Sequence, residues 1–181
     1  MRIIAGEAGG RKIKAPEDNR IRPTSDKVRE AVFNMLQMYT EDAVVADIFC
    51  GTGGLGLEAL SRGAARCFFF DNSRKSMALT EENIRTCRME DRAETDVCDF
   101  RKEVALLPEP VDMAFLDPPY ETGMLQECIE LLSKQGRIKE GGLIIAEHPK
   151  TEKLPDEYFG FSKKREKKYG MIMVTIYQRP V

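Results

Sequence analysis

Two short stretches bring residue types that do chemistry to a fixed spacing. "DPPY", Asp117 to Tyr120, follows the apolar run "VDMAFL" and sets a carboxylate, two prolines and an aromatic ring at one point of the backbone. "DIFCGTGGLG", Asp47 to Gly56, sets an acid four residues ahead of a glycine-rich loop. The first set is suited to an amine. The exocyclic amine of a nucleobase is a poor nucleophile because its lone pair is delocalised into the ring. Two acceptors placed on its two N–H bonds draw the nitrogen towards tetrahedral geometry and favour that lone pair. The Asp117 carboxylate offers one acceptor and the Pro118 carbonyl the other. Proline has no backbone N–H and a φ held at about −65°, and Pro119 restricts Pro118 to extended geometry. The carbonyl is therefore aimed in advance, which is the larger part of many catalytic effects. Tyr120 supplies a π-face for a base removed from its stack. Alone, an Asp-Pro pair is commonly a rigid turn; its place at a strand end is what makes it a candidate catalytic site of Asp117, Pro118, Pro119 and Tyr120.

The glycine loop carries the ligand question. Gly51, Gly53 and Gly56 match G-x-G-x-x-G, and Asp71 ends the next apolar run 20 residues after Gly51. That is also the dinucleotide fingerprint, and a tight turn without any ligand satisfies it too. Two features favour another cofactor. An acid at Asp47 suits the cationic amino group of a methionine moiety and is unfavourable beside a pyrophosphate. A dehydrogenase also needs a substrate domain, for which 181 residues leave no room. The expected cofactor is S-adenosylmethionine, held by Asp47, Phe49, Gly51, Thr52, Gly53, Gly56, Asp71 and Asn72. Asp96 would face the adenine amine and Val97 would wall the ring.

These residues need a scaffold that brings Asp47 and Asp117 to one edge. "AVVADIF", "RCFFFD", "AETDV", "VDMAFLD" and "GGLIIAEH" read as strands, with "LGLEALSR", "SRKSMALTEENIRTC" and "GMLQECIELLSKQG" as helices between them. Near-continuous apolar strands separated by helices argue a parallel, doubly wound sheet. Such sheets bind ligands at the carboxyl ends of their strands, where strand order reverses. "YFGFSKKREKKYGMIMVTIYQR" reads as two further strands joined by a polar loop, an antiparallel finish. The expected fold is α/β, a Rossmann-like class I methyltransferase with a mostly parallel seven-stranded sheet. "RIIAG" and "RKIKA" flank a glycine turn and predict a small basic hairpin over residues 1–20, ahead of a single domain over 21–181. "RPTSDKVREAVFNMLQMY" predicts a helix capped by Thr24 or Ser25, with Val28, Ala31, Val32, Met35, Leu36 and Tyr39 on its inner face.

Charge is uneven. The net charge is −2, yet residues 1–29 carry +4, 30–160 carry −11 and 161–181 carry +5. Basic ends leave room for a phosphate-binding face, and Arg2, Arg11, Lys12, Lys14, Lys163, Lys164 and Arg165 are the candidate RNA contacts. Five cysteines without a C-x-x-C pair suggest reduced thiols in a cytoplasm, and His148 is the only histidine, so no metal site is expected. No apolar run approaches the ~20 residues of a membrane span.

D-P-P-Y chemistry serves adenine, guanine and cytosine amines and even a glutamine amide, so mechanism alone leaves the substrate open. "RIIAGEAGGRKI", "RPTSDKVREAVFN", "DIFCGTGGLGLEALSRGA" and "FLDPPY" resemble the bacterial 16S ribosomal RNA guanine-N2 methyltransferases, nearly end to end. The resemblance implies methylation of one guanine 2-amino group in 16S rRNA of a small ribosomal subunit or its assembly intermediate; a monomer is expected. It places Arg22, Thr24, Arg29 and Glu30 in a block over the cofactor pocket. Asp71 stands where glutamate is frequent, which shortens the reach to the ribose. The rival readings are an adenine amino-methyltransferase acting on DNA or RNA and a non-catalytic RNA-binding assembly factor. The first generally needs a target-recognition domain; intact D-P-P-Y argues against the second. His148, in "AEHP", is expected to be structural.

Overall fold

The computed structural model describes residues 1–17, 24–120 and 122–181. Its strands are β1 (Val44–Ile48), β2 (Arg66–Asp71), β3 (Ala93–Val97), β4 (Val111–Leu116), β5 (Ile138–Pro149), β6 (Glu157–Tyr158), β7 (Phe161–Tyr169) and β8 (Ile172–Gln178). Its helices are α1 (Asp26–Met35), α2 (Gln37–Thr40), α3 (Gly54–Ser61), α4 (Arg74–Thr86), α5 (Phe100–Leu106) and α6 (Met124–Lys134). The strands form one sheet of order β3-β2-β1-β4-β5-β8-β7-β6. β1 to β5 are parallel; β8, β7 and β6 run antiparallel to their neighbours. The order reverses between β1 and β4. The expected seven strands are present, and β6 adds a two-residue eighth at the edge, too short to show any alternation in sequence.

Period-2 geometry splits each apolar strand between two cores. In β2, Cys67 and Phe69 join α1, α3 and α4 on one face, while Phe68 and Phe70 join α5 and α6 on the other. Helix α5 was not apparent in the sequence. "FRKEVAL" is only seven residues, and its buried residues are Phe100, Glu103 and Val104. A parallel crossover from β3 to β4 needs such an element, and Asp99 caps it.

Ser25, not Thr24, caps α1, accepting from the Val28 N–H. The expected stripe packs on the core, with Val32 and Leu36 fully inside, and it is wider than expected. Phe33 and Arg29 lie inside with Val32, while Val28, Met35 and Tyr39 are partly buried. Residues 1–13 form a narrow hairpin with a single bridge, Arg2 to Lys12, that packs Ile3, Ala8 and Ile13 into the core. The "KKREKK" run is not a loop. It belongs to β7, and the turn to β8 is Gly170 and Met171. β7 lacks alternation because its burial is supplied by its partner, whose Val174, Ile176 and Tyr177 are inside. All five cysteines are free, and four are buried. Among the described residues no helix is long and apolar enough to cross a membrane.

Candidate active site

The register carries the site. Ile48 of β1 pairs with Phe70 and Leu116, Asp71 of β2 with Val97, and Leu116 of β4 with Ala146. The residues that follow, Phe49, Asp117 and Glu147, therefore sit on three neighbouring chain segments along one carboxyl edge. Asp47, Asp117 and Glu147 share the sheet face occupied by Val45, Phe115 and Ile145. Sequence reading missed Glu147. Its position one step past Ala146, beside Asp117, depends on the β4–β5 register.

The glycine loop is braced by acids. Asp47, 2% exposed, accepts the Gly56 N–H through Oδ2 at 2.9 Å. Asp71 accepts the Gly51 N–H at 3.0 Å and the Ser73 N–H at 2.9 Å. Gly56 serves packing, because a Cβ there would stand 2.4 Å from the Phe69 ring. Gly51 is different. It has φ +58° and nothing within 4 Å of where its Cβ would be, so a side chain would fill open space above the loop. Phe49 holds φ 66°, an uncommon conformation for a bulky residue, and packs on Phe100 with ring centroids 5.1 Å apart. Thr52 is buried; Asn72, Asp96 and Val97 are exposed at the ends of β2 and β3.

On the other side of the switch point, Asp117 is half-buried, Pro118 buried, and Pro119 and Tyr120 exposed. Thr122 donates to the Pro119 carbonyl at 2.8 Å. A shallow, open cleft lies between Pro118, Pro119, Tyr120, Gln126, Glu147 and His148. Thr24 reaches over from the entry to α1, its hydroxyl donating to Glu147 Oε2 at 2.9 Å. Arg22 lies outside the described residues. Arg29 is 0% exposed and sits 3.5 Å from the buried Glu58 of α3. It packs against Gly54 at the start of α3, tying the N-terminal block to the loop. His148 is 2% exposed and hydrogen-bonds Thr175 at 2.8 Å and the Pro149 carbonyl at 3.1 Å, a structural arrangement.

The carboxyls are held back from ionising. Burial pushes Asp47 up to about 8, against the Gly56 N–H and helped by Asp71. Burial, then Glu147, then Asp47 push Asp117 well above the usual range. Burial also raises Glu147, opposed by Thr24. Such a rim gains from a positively charged ligand, which favours the ionised forms. Between about pH 4 and about pH 8 the unfolded chain has Asp47 ionised while the folded chain keeps the proton, so Asp47 makes stability fall as pH rises through that window. Asp47→Asn should remove this slope. The thermal midpoint of the variant should gain on the parent from about pH 5 to about pH 8; a pH-independent gap would refute the assignment.

The basic residues divide. Lys14 pairs with Glu82 at 2.7 Å, Arg11 reaches the Thr86 carbonyl at 3.4 Å, and Arg2 lies 3.8 Å from Asp26; Lys12 is exposed. Lys163 is tied to Glu166 at 2.9 Å and Asp156 at 3.4 Å, and Lys164 lies 5.4 Å from the Tyr39 ring centre. Arg165 lines a groove with Met35 and Tyr39. Through β8, Lys163 aligns with Ile144, well before the end of β5, whereas Lys167 and Lys168 align with Glu147 and His148. The register thus brings a different pair of lysines to the catalytic edge.

Four carboxylates round a glycine cradle suit a ligand that brings positive charge, and S-adenosylmethionine brings a sulfonium and an ammonium. On this sheet order, with its antiparallel finish, the chain is a class I S-adenosylmethionine-dependent methyltransferase. Gly51 and the carboxylates fit the cofactor. Gly51→Asn, which tolerates positive φ, should leave folding intact and weaken S-adenosylmethionine binding about tenfold or more by calorimetry.

The chain belongs to the family described as conserved hypothetical protein 95, whose model matches residues 1–178. It is 36% identical over 179 residues to ribosomal RNA small subunit methyltransferase D of Escherichia coli (strain K12), covering 99% of this chain and 90% of that one. It is 33% identical over 184 residues to the protein of that name from Haemophilus influenzae, covering 98% and 93%. A solved structure from Escherichia coli matches with TM-score 0.88 and 33% identity over 99% of this chain and 98% of that chain.

Proposed function

We propose that this chain methylates the 2-amino group of one guanine in 16S ribosomal RNA, within a small ribosomal subunit or its assembly intermediate. The observation that carries the reading is the placement of Asp117, near Asp47 of the glycine cradle and directly before Pro118, which with Tyr120 lines an open cleft. The names of the relatives supply the RNA. S-adenosylmethionine, when bound, supplies an electrophilic methyl group. Asp47, Asp117 and Glu147 would ionise more readily beside a bound cation, and an ionised Asp117 would serve as an acceptor. Asp117 and the Pro118 carbonyl then hold the two amine hydrogens, and Tyr120 stacks on the extruded base. This positioning supplies the greater part of the acceleration. The proton released after transfer passes to Asp117 or water.

Lys167 and Lys168 join the N-terminal basic residues as backbone contacts, which make binding salt-sensitive without reading sequence. The enzyme acts in the cytoplasm, where its five free thiols stay reduced. The test is radiolabel transfer from S-adenosylmethionine into small subunits of a strain lacking the enzyme, followed by mapping of the modified base. Label at one guanine of 16S rRNA is expected. Label in duplex DNA alone, or none in either, would overturn the reading.

A further inference from the structure

We propose that Glu147 selects the base, accepting the ring N1–H of guanine while Asp117 and the Pro118 carbonyl hold the neighbouring 2-amino group. The inference rests on the reading of the site given above and adds the residue that tells guanine from other amine-bearing bases.

The geometry comes from the sheet. Leu116 pairs with Ala146, so Asp117 and Glu147 occupy the next position on adjacent strands, about 4.8 Å apart at the backbone. Both side chains take the face of Phe115 and Ile145. Glu147 is 8% exposed and lines the cleft that Pro118, Pro119 and Tyr120 also line. Thr24 engages its Oε2 at 2.9 Å. Among the described residues Glu147 has no cationic partner, although a buried carboxylate is costly unless donors meet it. Pro118 and Glu147 thus line one cleft, and Asp117 stands next to Pro118 in the chain and beside Glu147 across the sheet.

Base chemistry does the rest. On the pairing edge of adenine, the ring atom beside the 6-amino group is N1, a lone pair. Beside the 4-amino group of cytosine it is N3, also a lone pair. In guanine the atom beside the 2-amino group is N1–H, a donor. A second acceptor next to Asp117 therefore satisfies guanine and faces a lone pair in the other two. A site built to hydrogen-bond a group rejects the analogue that lacks it far better than an apolar pocket rejects a misfit. The amine motif alone is indifferent to the base; Glu147 on the adjoining strand is not.

2-Aminopurine keeps the 2-amino group but has a lone pair at N1, which makes it the probe. Small subunits are reconstituted around 16S rRNA carrying either guanine or 2-aminopurine at the mapped target, and single-turnover methylation is measured. The parent should prefer guanine by roughly ten- to a hundredfold, the range of one good base-edge contact. Glu147→Ala should lose guanine turnover by about that factor and lose the preference with it. Glu147→Gln, whose amide oxygen still accepts, should keep most of both. S-adenosylmethionine affinity should change far less than guanine turnover in the Glu147→Ala variant. A Glu147→Ala enzyme that still prefers guanine overturns the assignment, as does a loss confined to cofactor affinity. Should Glu147→Ala fold poorly, the parent decides alone: equal rates on the two bases overturn it. If the parent labels no guanine in subunits, the failure lies in the reading of the function instead.

Discussion

Asp117→Ala should slow methyl transfer by about 10²–10³-fold while S-adenosylmethionine still binds. The variant leaves the Pro118 carbonyl as the one remaining acceptor from the D-P-P-Y turn, so the amine is free to rotate back into conjugation with its ring. The cradle is not weakened. Asp117 is crowded by Glu147 and Asp47, and removing one of three like groups makes the other two easier to ionise. The thermal midpoint of the ligand-free variant should therefore match or exceed the parent near neutral pH. Asp117→Asn keeps an acceptor oxygen and should recover part of the rate. Single-turnover kinetics with saturating cofactor measure the step directly. Near-normal turnover in Asp117→Ala would mean that the carboxylate does not orient the amine.

The largest effect on stability is expected at Glu58. Its carboxylate is 0% exposed and accepts the Ile4 N–H at 2.8 Å, the Ala5 N–H at 3.1 Å and Arg62 Nε at 2.8 Å. It also lies 3.5 Å from Nε of the wholly buried Arg29. Glu58→Ala strands a buried cation and two backbone amides at once. Breaking one side of such a pair costs about 3–5 kcal/mol. Asp26, 2.9 Å from Arg29 on the solvent side, limits the loss but does not replace the lost acceptor. The variant should also release the hairpin of residues 1–13, exposing Arg11 and Lys12 to trypsin in the native state. Replacing Arg29 and Glu58 together by methionine and leucine should cost clearly less than the two single changes added, because no charge is then left behind. Urea titration of the four proteins gives both numbers; additivity would refute the buried pair.

Much of this was legible in the chain. β2 and β4 lie where their apolar runs placed them, because a strand buried on both faces writes its length directly in sequence. Gly51 is recognisable for a similar reason: its positive φ admits few residue types. What escaped was decided by neighbours distant in sequence. Arg29 reads as a surface charge on an amphipathic helix until Glu58, on another helix, is known to meet it. Helix α5 is too short to show a period. Strand β7, with six charged residues from Lys163 to Lys168, is held by the apolar residues of β8 rather than its own.

By itself the sequence determined the class of chemistry, methyl transfer from S-adenosylmethionine, because the glycine loop with its leading acid and the D-P-P-Y turn are local to a few consecutive residues. The strand register alone decided which further groups share the edge. Glu147 lies 30 positions from Asp117 in the chain and one strand spacing from it in space. Lys167 and Lys168 align with Glu147 and His148 for the same reason. A parallel sheet converts distant stretches into adjacent side chains through hydrogen-bond pairing, and no reading of one stretch at a time contains that pairing.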